Sequence, residues 1–201
     1  MAMRSFFKMD GVETRKTEDG KMLVTGYAAV FESLSVPLWG FREKIRAGAF
    51  KNTITKNNIR ALWNHNRDFV LGSMGNGSLK LSEDDKGLRF ELDIADTQMG
   101  RDAFTSIGRR DVDGVSFSFS AVKQEWDETN PQDVIRTLIE VECDEISPTA
   151  FPAYEETSVS TRTAKECYAE HRDALKQEQE QKEIEIRSRL IELNKRKLNL
   201  F

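Results

Sequence analysis

Between Val115 and Val122 the chain reads V-S-F-S-F-S-A-V, and no other stretch restricts the fold as tightly. In an extended strand successive side chains leave on opposite faces. Val115, Phe117, Phe119 and Ala121 then share one face, and Ser116, Ser118 and Ser120 share the other. A helix would scatter both sets around its axis. The chain therefore needs a sheet, and this strand lays an aromatic face on the core. The same period recurs between Ser78 and Ile94, where Leu79 and Leu81 alternate on one arm and Leu88, Phe90, Leu92 and Ile94 on the other. Glu83-Asp84-Asp85-Lys86-Gly87 supplies the turn of that hairpin.

Further elements follow from the same reading. Arg4 to Met9 is a short apolar run. Met22 to Phe31 is a mostly apolar strand whose Gly26 marks a bulge or a close backbone approach. Phe41 to Phe50 leads into a helix with Phe50 and Ile54 one turn apart, and Ile59 to Trp63 is a short buried strand that delivers Asn64-His65-Asn66 at its end. Asp96 to Ile107 reads as a helix, capped at Asp96 or Thr97 and ended by Gly108. Asp127 to Asp133 is a loop, Val134 to Val141 another strand, and Ser147-Pro148 and Phe151-Pro152 interrupt regular structure.

From about Thr163 the character changes. Lys165 to Lys197 holds neither Gly nor Pro, and Glu178–Lys182, Glu183–Arg187, Glu185–Arg189 and Glu192–Arg196 are i,i+4 pairs in the favourable order. This is a long solvated helix with little to bury over its first turns. Its apolar residues collect near its end, Ile184, Ile191 and Leu198 at seven-residue spacing on one side and Ile186, Leu190, Leu193 and Leu200 on another, which suits a docking surface. The division expected is therefore residues 1–162 as one compact unit and 163–201 as a docking or processed segment.

Composition excludes several classes. With 30 basic and 34 acidic residues the chain lacks the basic excess of a nucleic-acid binder. No run approaches a membrane span or a secretion signal, so no membrane partner is expected. Cys143 and Cys167 are not spaced as a metal or redox pair and make no disulfide framework, which points to a reducing, cytoplasmic setting.

Three features could carry chemistry. His65 is one of only two histidines, and a lone histidine at a strand end is more often an ordinary hydrogen-bonding residue than a general base. The serines of the V-S-F-S-F-S strand could be its solvent face or could present a nucleophile on a rigid support. The third is Cys143-Asp144-Glu145-Ile146-Ser147, where a carboxylate beside an apolar strand could orient a histidine or simply face water. His171 sits among charges and reads as a helix-surface residue. No G-x-S-x-G elbow is present, which argues against an α/β-hydrolase.

Order and local sequence go further. Gly26-Tyr27-Ala28-Ala29-Val30-Phe31, Phe41-Arg42-Glu43, Gly48-Ala49-Phe50, Trp63-Asn64-His65-Asn66 with Leu71-Gly72, Gly87-Leu88, Val115-Ser116-Phe117-Ser118-Phe119, and Glu145-Ile146-Ser147 followed by Pro152-Ala153-Tyr154 occur in that order. Over about residues 20 to 162 this series resembles the prohead (procapsid) maturation serine proteases of tailed bacteriophages, which are related to the herpesvirus assembly proteases. The resemblance implies an α+β fold, mainly an antiparallel β-barrel with flanking helices, to which this chain adds its long charged C-terminal helix. It implies Ser116 as nucleophile and His65 as general base, meeting across neighbouring strands. The related viral enzymes place a second histidine in the third role. Here the other histidine lies in the charged helix, so a carboxylate is expected, Glu145 ahead of Asp144. Backbone N–H groups near Gly108-Arg109-Arg110 would serve the oxyanion. No metal or organic cofactor is implied. The implied substrates are the scaffold or scaffold-like arm of the major capsid protein and the chain itself, in the host cytoplasm and the interior of the immature capsid. The competing class is a non-enzymatic capsid assembly or scaffolding protein, which the long charged helix also suits.

Overall fold

The structure is a computed structural model and describes residues 3–8, 12–56, 58–150 and 158–198. In chain order the strands are β1 (Met3–Lys8), β2 (Glu13–Lys16), β3 (Met22–Val30), β4 (Phe41–Ile45), β5 (Arg60–Trp63), β6 (Asn66–Ser73), β7 (Leu79–Glu83), β8 (Gly87–Ile94), β9 (Gly114–Asp127) and β10 (Val134–Thr149). Helix α1 (Gln98–Gly108) precedes β9, and α2 (Ser158–Leu198) follows β10. One sheet runs β1-β9-β10-β5-β6, with β4 also pairing β10; the other runs β2-β3-β8-β7.

Alternation sets the inner faces. Val24, Leu88, Phe90 and Leu92 of the smaller sheet and Phe117, Phe119, Leu138 and Val141 of the larger are all buried in one cluster. Phe50 stands edge-on to Phe117 at 5.2 Å between ring centroids. Each such side chain contributes about 1.5–3 kcal/mol on burial, so these aromatics dominate the cohesion of the two layers. Gly26 is where the sequence asked for a close approach: a Cβ there would meet the Phe90 ring at 3.1 Å, and the β3–β8 register shifts just beyond it, between Tyr27 and Ala29. Helix α1 is capped by Thr97, whose Oγ1 accepts the Gly100 N–H at 3.0 Å, and buries Ala103 and Ile107.

The expected barrel does not form. Neither sheet closes on itself among the described residues, and mostly antiparallel strands pack as two open layers. Two further readings change. Phe41–Ile45 is a strand that buries Phe41, Glu43 and Ile45 and pairs in parallel with Val134–Leu138; the helix expected beyond it is only the short 3-10 turn Thr53–Lys56, where the Ile54 N–H donates to the Phe50 carbonyl at 3.1 Å. Glu43 can lie inside a sheet because Arg136, its register partner on β10, meets it at 2.9 Å with both side chains buried. The second concerns Ser147-Pro148, which does not end β10. The strand continues to Thr149, with Pro148 opposite Val115 and its carbonyl accepting the Asn64 N–H at 3.1 Å.

Helix α2 also differs from expectation. It starts at Ser158, so the 162/163 division falls inside it. Its early turns are docked. Ala164 is buried with Phe41 and Val134, while Tyr168 packs against them beside Leu38 and Trp126. His171 stacks on Trp126 at 4.2 Å and 8° and meets Glu128 at 2.9 Å. Ala164, Tyr168, His171 and Leu175 follow 4-3-4 spacing, one stripe of a helix. Beyond it the helix is solvated, and Ile184, Ile186, Leu190, Ile191 and Leu193 are all exposed.

Candidate active site

The site grows from a phase change in β10. Val141 and Cys143 face the core, and simple alternation would send Glu145 there too. Instead Cys143 lies opposite Phe119 and Glu145 opposite Ser118, its immediate neighbour, so β10 carries one extra residue at this point. That residue is Asp144, which is exposed. The bulge turns Glu145 and Ser147 onto the face that β9 gives to Ser116 and Ser118, and returns Ile146 to the core. The parity of the apolar positions records it: 141 and 143 before, 146 and 148 after.

His65 arrives from the other side. The β5–β6 hairpin turns through Asn64 and His65, both left-handed, with φ of 49° and 59°. Two bonds fasten this turn to β10: Asn64 N–H to the Pro148 carbonyl, and His65 N–H to Ser147 Oγ at 3.2 Å. The ring then meets the carboxylate, His65 Nδ1 lying 2.5 Å from Glu145 Oε1, with each side chain only 11% exposed. Nδ1 is the donor of that pair when the imidazole is neutral, which leaves the lone pair on Nε2.

Ser116 is fully buried, opposite Ser147 in the ladder. Its Oγ makes no hydrogen bond among the described residues. A buried hydroxyl without a protein partner is uncommon, and the Trp126 indole N–H shares that condition. Ser116 and His65 are not on neighbouring strands, as the sequence reading had them; β10 stands between β9 and β5, and Ser147 lies between the serine and the turn. The serine face is not a solvent face either, since Ser118 is buried too.

Other expectations fare differently. The N–H groups of Arg109 and Arg110 donate to the carbonyls of Thr105 and Ile107 at 2.9 Å each and finish α1, so they are committed and do not serve an oxyanion. His171 is a docking residue rather than a free surface residue. It contacts Trp126, about 30 Å along β9 from Ser116 at roughly 3.3 Å per residue, so it takes no part in this site. The cysteines are free. Burial first, then the Glu145 and Asp144 carboxylates, push the Cys143 thiol far above its ordinary range, and burial raises Cys167 as well, which disfavours the thiolate at both. Sequence reasoning gave Ser147 no role, although the same parity change that turns Glu145 toward the site also turns Ser147.

Among known proteins, the family model for caudovirus prohead serine proteases matches residues 10–172. No curated protein and no solved structure matches the chain. The matched span ends within α2, one residue past His171, and so takes in Ala164, Tyr168 and His171 of the docked stripe and leaves out the solvated turns.

Proposed function

The chain belongs to the caudovirus prohead serine protease family, and from that premise we propose that it is the endopeptidase of capsid maturation, acting through Ser116, His65 and Glu145. One observation carries the assignment of roles: the 2.5 Å contact of His65 Nδ1 with Glu145, on the sheet face that also holds the orphaned Ser116 hydroxyl.

In this reading His65 Nε2 takes the Ser116 proton as Oγ bonds to the peptide carbonyl carbon. The tetrahedral adduct collapses with loss of the C–N bond, and the imidazolium returns its proton to the departing amine. Water, deprotonated by the same nitrogen, then releases the acyl group and restores the serine. Glu145 holds the ring in the productive tautomer and stabilises its cationic form. Binding of substrate closes the remaining gap between Ser116 and His65, as is usual for catalytic hydrogen bonds that are long in the free enzyme. The substrates are the scaffold or scaffold-like arm of the major capsid protein and the chain itself, met inside the immature shell.

The solvated end of α2, with its exposed isoleucines and leucines, favours a second reading as a non-enzymatic assembly factor. A fluorophosphonate separates the two. Labelling of Ser116 that is lost in His65→Ala supports the enzyme, and absence of label from the wild type, or a label indifferent to His65, overturns it.

A further inference from the structure

Glu145 uses both carboxylate oxygens. Oε1 faces His65 Nδ1, and Oε2 accepts the Ser147 hydroxyl proton at 2.6 Å. The same Ser147 oxygen accepts the His65 backbone N–H at 3.2 Å. Ser147 is fully buried and stands opposite Ser116 in the ladder. One hydroxyl therefore touches the carboxylate, the backbone of the histidine and the strand position facing the nucleophile.

Each contact removes a freedom that the reaction cannot tolerate. The terminal torsion of a glutamate is broad, so a carboxylate held by one oxygen can swing about it. A second bond to Oε2 fixes its plane. The His65 turn is held in left-handed backbone, a conformation that Asn64 adopts readily but that is unfavourable for His65 and needs outside support. The bond to Ser147 is part of that support, and it sets the height of the ring above β10. The Ser147 proton already points at Glu145, so this hydroxyl orients and does not attack.

We infer that Ser147 is a positioning residue of the reaction, coupling the Glu145 carboxylate to the His65 turn. Its contribution passes through Glu145 and the His65 ring and so falls on the acylation rate rather than on binding. The inference rests on the Ser116–His65–Glu145 reading above.

The test is a double-mutant cycle read by phosphonylation of Ser116 with an alkyl fluorophosphonate, followed by intact mass, giving kinact and KI. Ser147→Ala lowers kinact about 10- to 100-fold with KI nearly unchanged, the size of loss that follows from a small misplacement of a catalytic group. Ser147→Thr, which keeps the hydroxyl, restores most of the rate. In the Glu145→Gln background Ser147→Ala costs less than about threefold, because residues that act as one unit are not additive. A wild-type rate in Ser147→Ala, an equal cost in both backgrounds, or a label found on Ser147 itself overturns the inference. If Ser147→Ala does not fold, Ser147→Cys replaces it, being close in shape with a weaker donor; a rate equal to that of the wild type then overturns it. His65→Ala is the control for the premise. Wild-type labelling there defeats the catalytic reading itself, whereas a dead His65→Ala beside an unimpaired Ser147→Ala defeats the role of Ser147 alone.

Discussion

The molecule holds two histidines, and each faces a glutamate: His65 meets Glu145 at 2.5 Å, and His171 meets Glu128 at 2.9 Å. The pairs sit toward opposite ends of the β9–β10 ladder. His65 uses Nδ1, rides on a turn bonded to β10, and lies on the face that carries an orphaned serine hydroxyl. His171 uses Nε2, lies flat on Trp126, and is carried by a helix. Residue type and partner are the same, so they do not define a general base. What separates the two is which ring nitrogen is spent on the carboxylate and what stands on the same face.

Removing the histidines gives the widest separation. His65→Ala and Ser116→Ala each lower fluorophosphonate labelling by about 10³-fold or more, while His171→Ala stays within about threefold of wild type. Comparable losses from both histidines would erase the distinction. The glutamates come next. Glu145→Gln lowers the labelling rate by about 10²- to 10⁴-fold, because an amide favours the wrong tautomer and leaves the imidazolium unstabilised. Glu128→Gln and Asp144→Asn leave it nearly unchanged; a large loss in Asp144→Asn would move the third role to the bulge residue.

Stability reverses the order. His171→Ala removes a ring stack and a hydrogen bond and lowers unfolding free energy by about 1–2 kcal/mol, read from the urea midpoint, with labelling intact. Chain ends refine this further. A chain ending at Arg162 uncovers Phe41, Val134 and Trp126 and loses stability or solubility, whereas one ending just after Leu175 keeps both and still labels. Equal stability of the two would show that the docked turns contribute nothing.

The smallest effect is a pH dependence at the docked end. A hydrogen bond from Arg42, more than its charge alone, holds the Asp133 carboxyl below its ordinary value. A depressed folded value means the stabilisation is present above the unfolded value near 3.8 and is lost as pH falls through the folded one. Asp133→Asn flattens that part of the acid unfolding curve slightly; an unchanged curve would show that the exposed pair is idle.

The elements most legible in the sequence are those whose pattern is local. The 79–94 hairpin, α1 and the start of β9 follow from alternation, turn residues and a cap. Strand β4 was hidden because its middle inward residue is Glu43, and only Arg136, far along the chain, makes that position buriable. The docked turns of α2 were hidden because a histidine completes the stripe of Ala164, Tyr168 and Leu175. Closure of a barrel depends on which strand edges meet, and no local period encodes it. In the site, His65 and Ser116 came from family resemblance rather than from spacing, and Glu145 was chosen because the second histidine of the related viral enzymes has no counterpart here. The juxtaposition of His65 with Glu145 depends on a turn docking on a strand about 80 residues away in sequence.

The extra residue in β10 makes the site's tolerance to insertion and deletion unlike its tolerance to substitution. Phe119 and Ser118 are consecutive on β9, and their partners Cys143 and Glu145 are separated only by Asp144. Deleting Asp144 would make both strands consecutive and leave Glu145, Ile146 and Ser147 on the faces they already occupy. Inserting one residue between Glu145 and Ser147 would send the hydroxyl to the core while the carboxylate stayed behind. A shortened gene and a lengthened one would thus meet opposite fates within four codons, and an aligned series of natural lengths across this segment would carry the imprint.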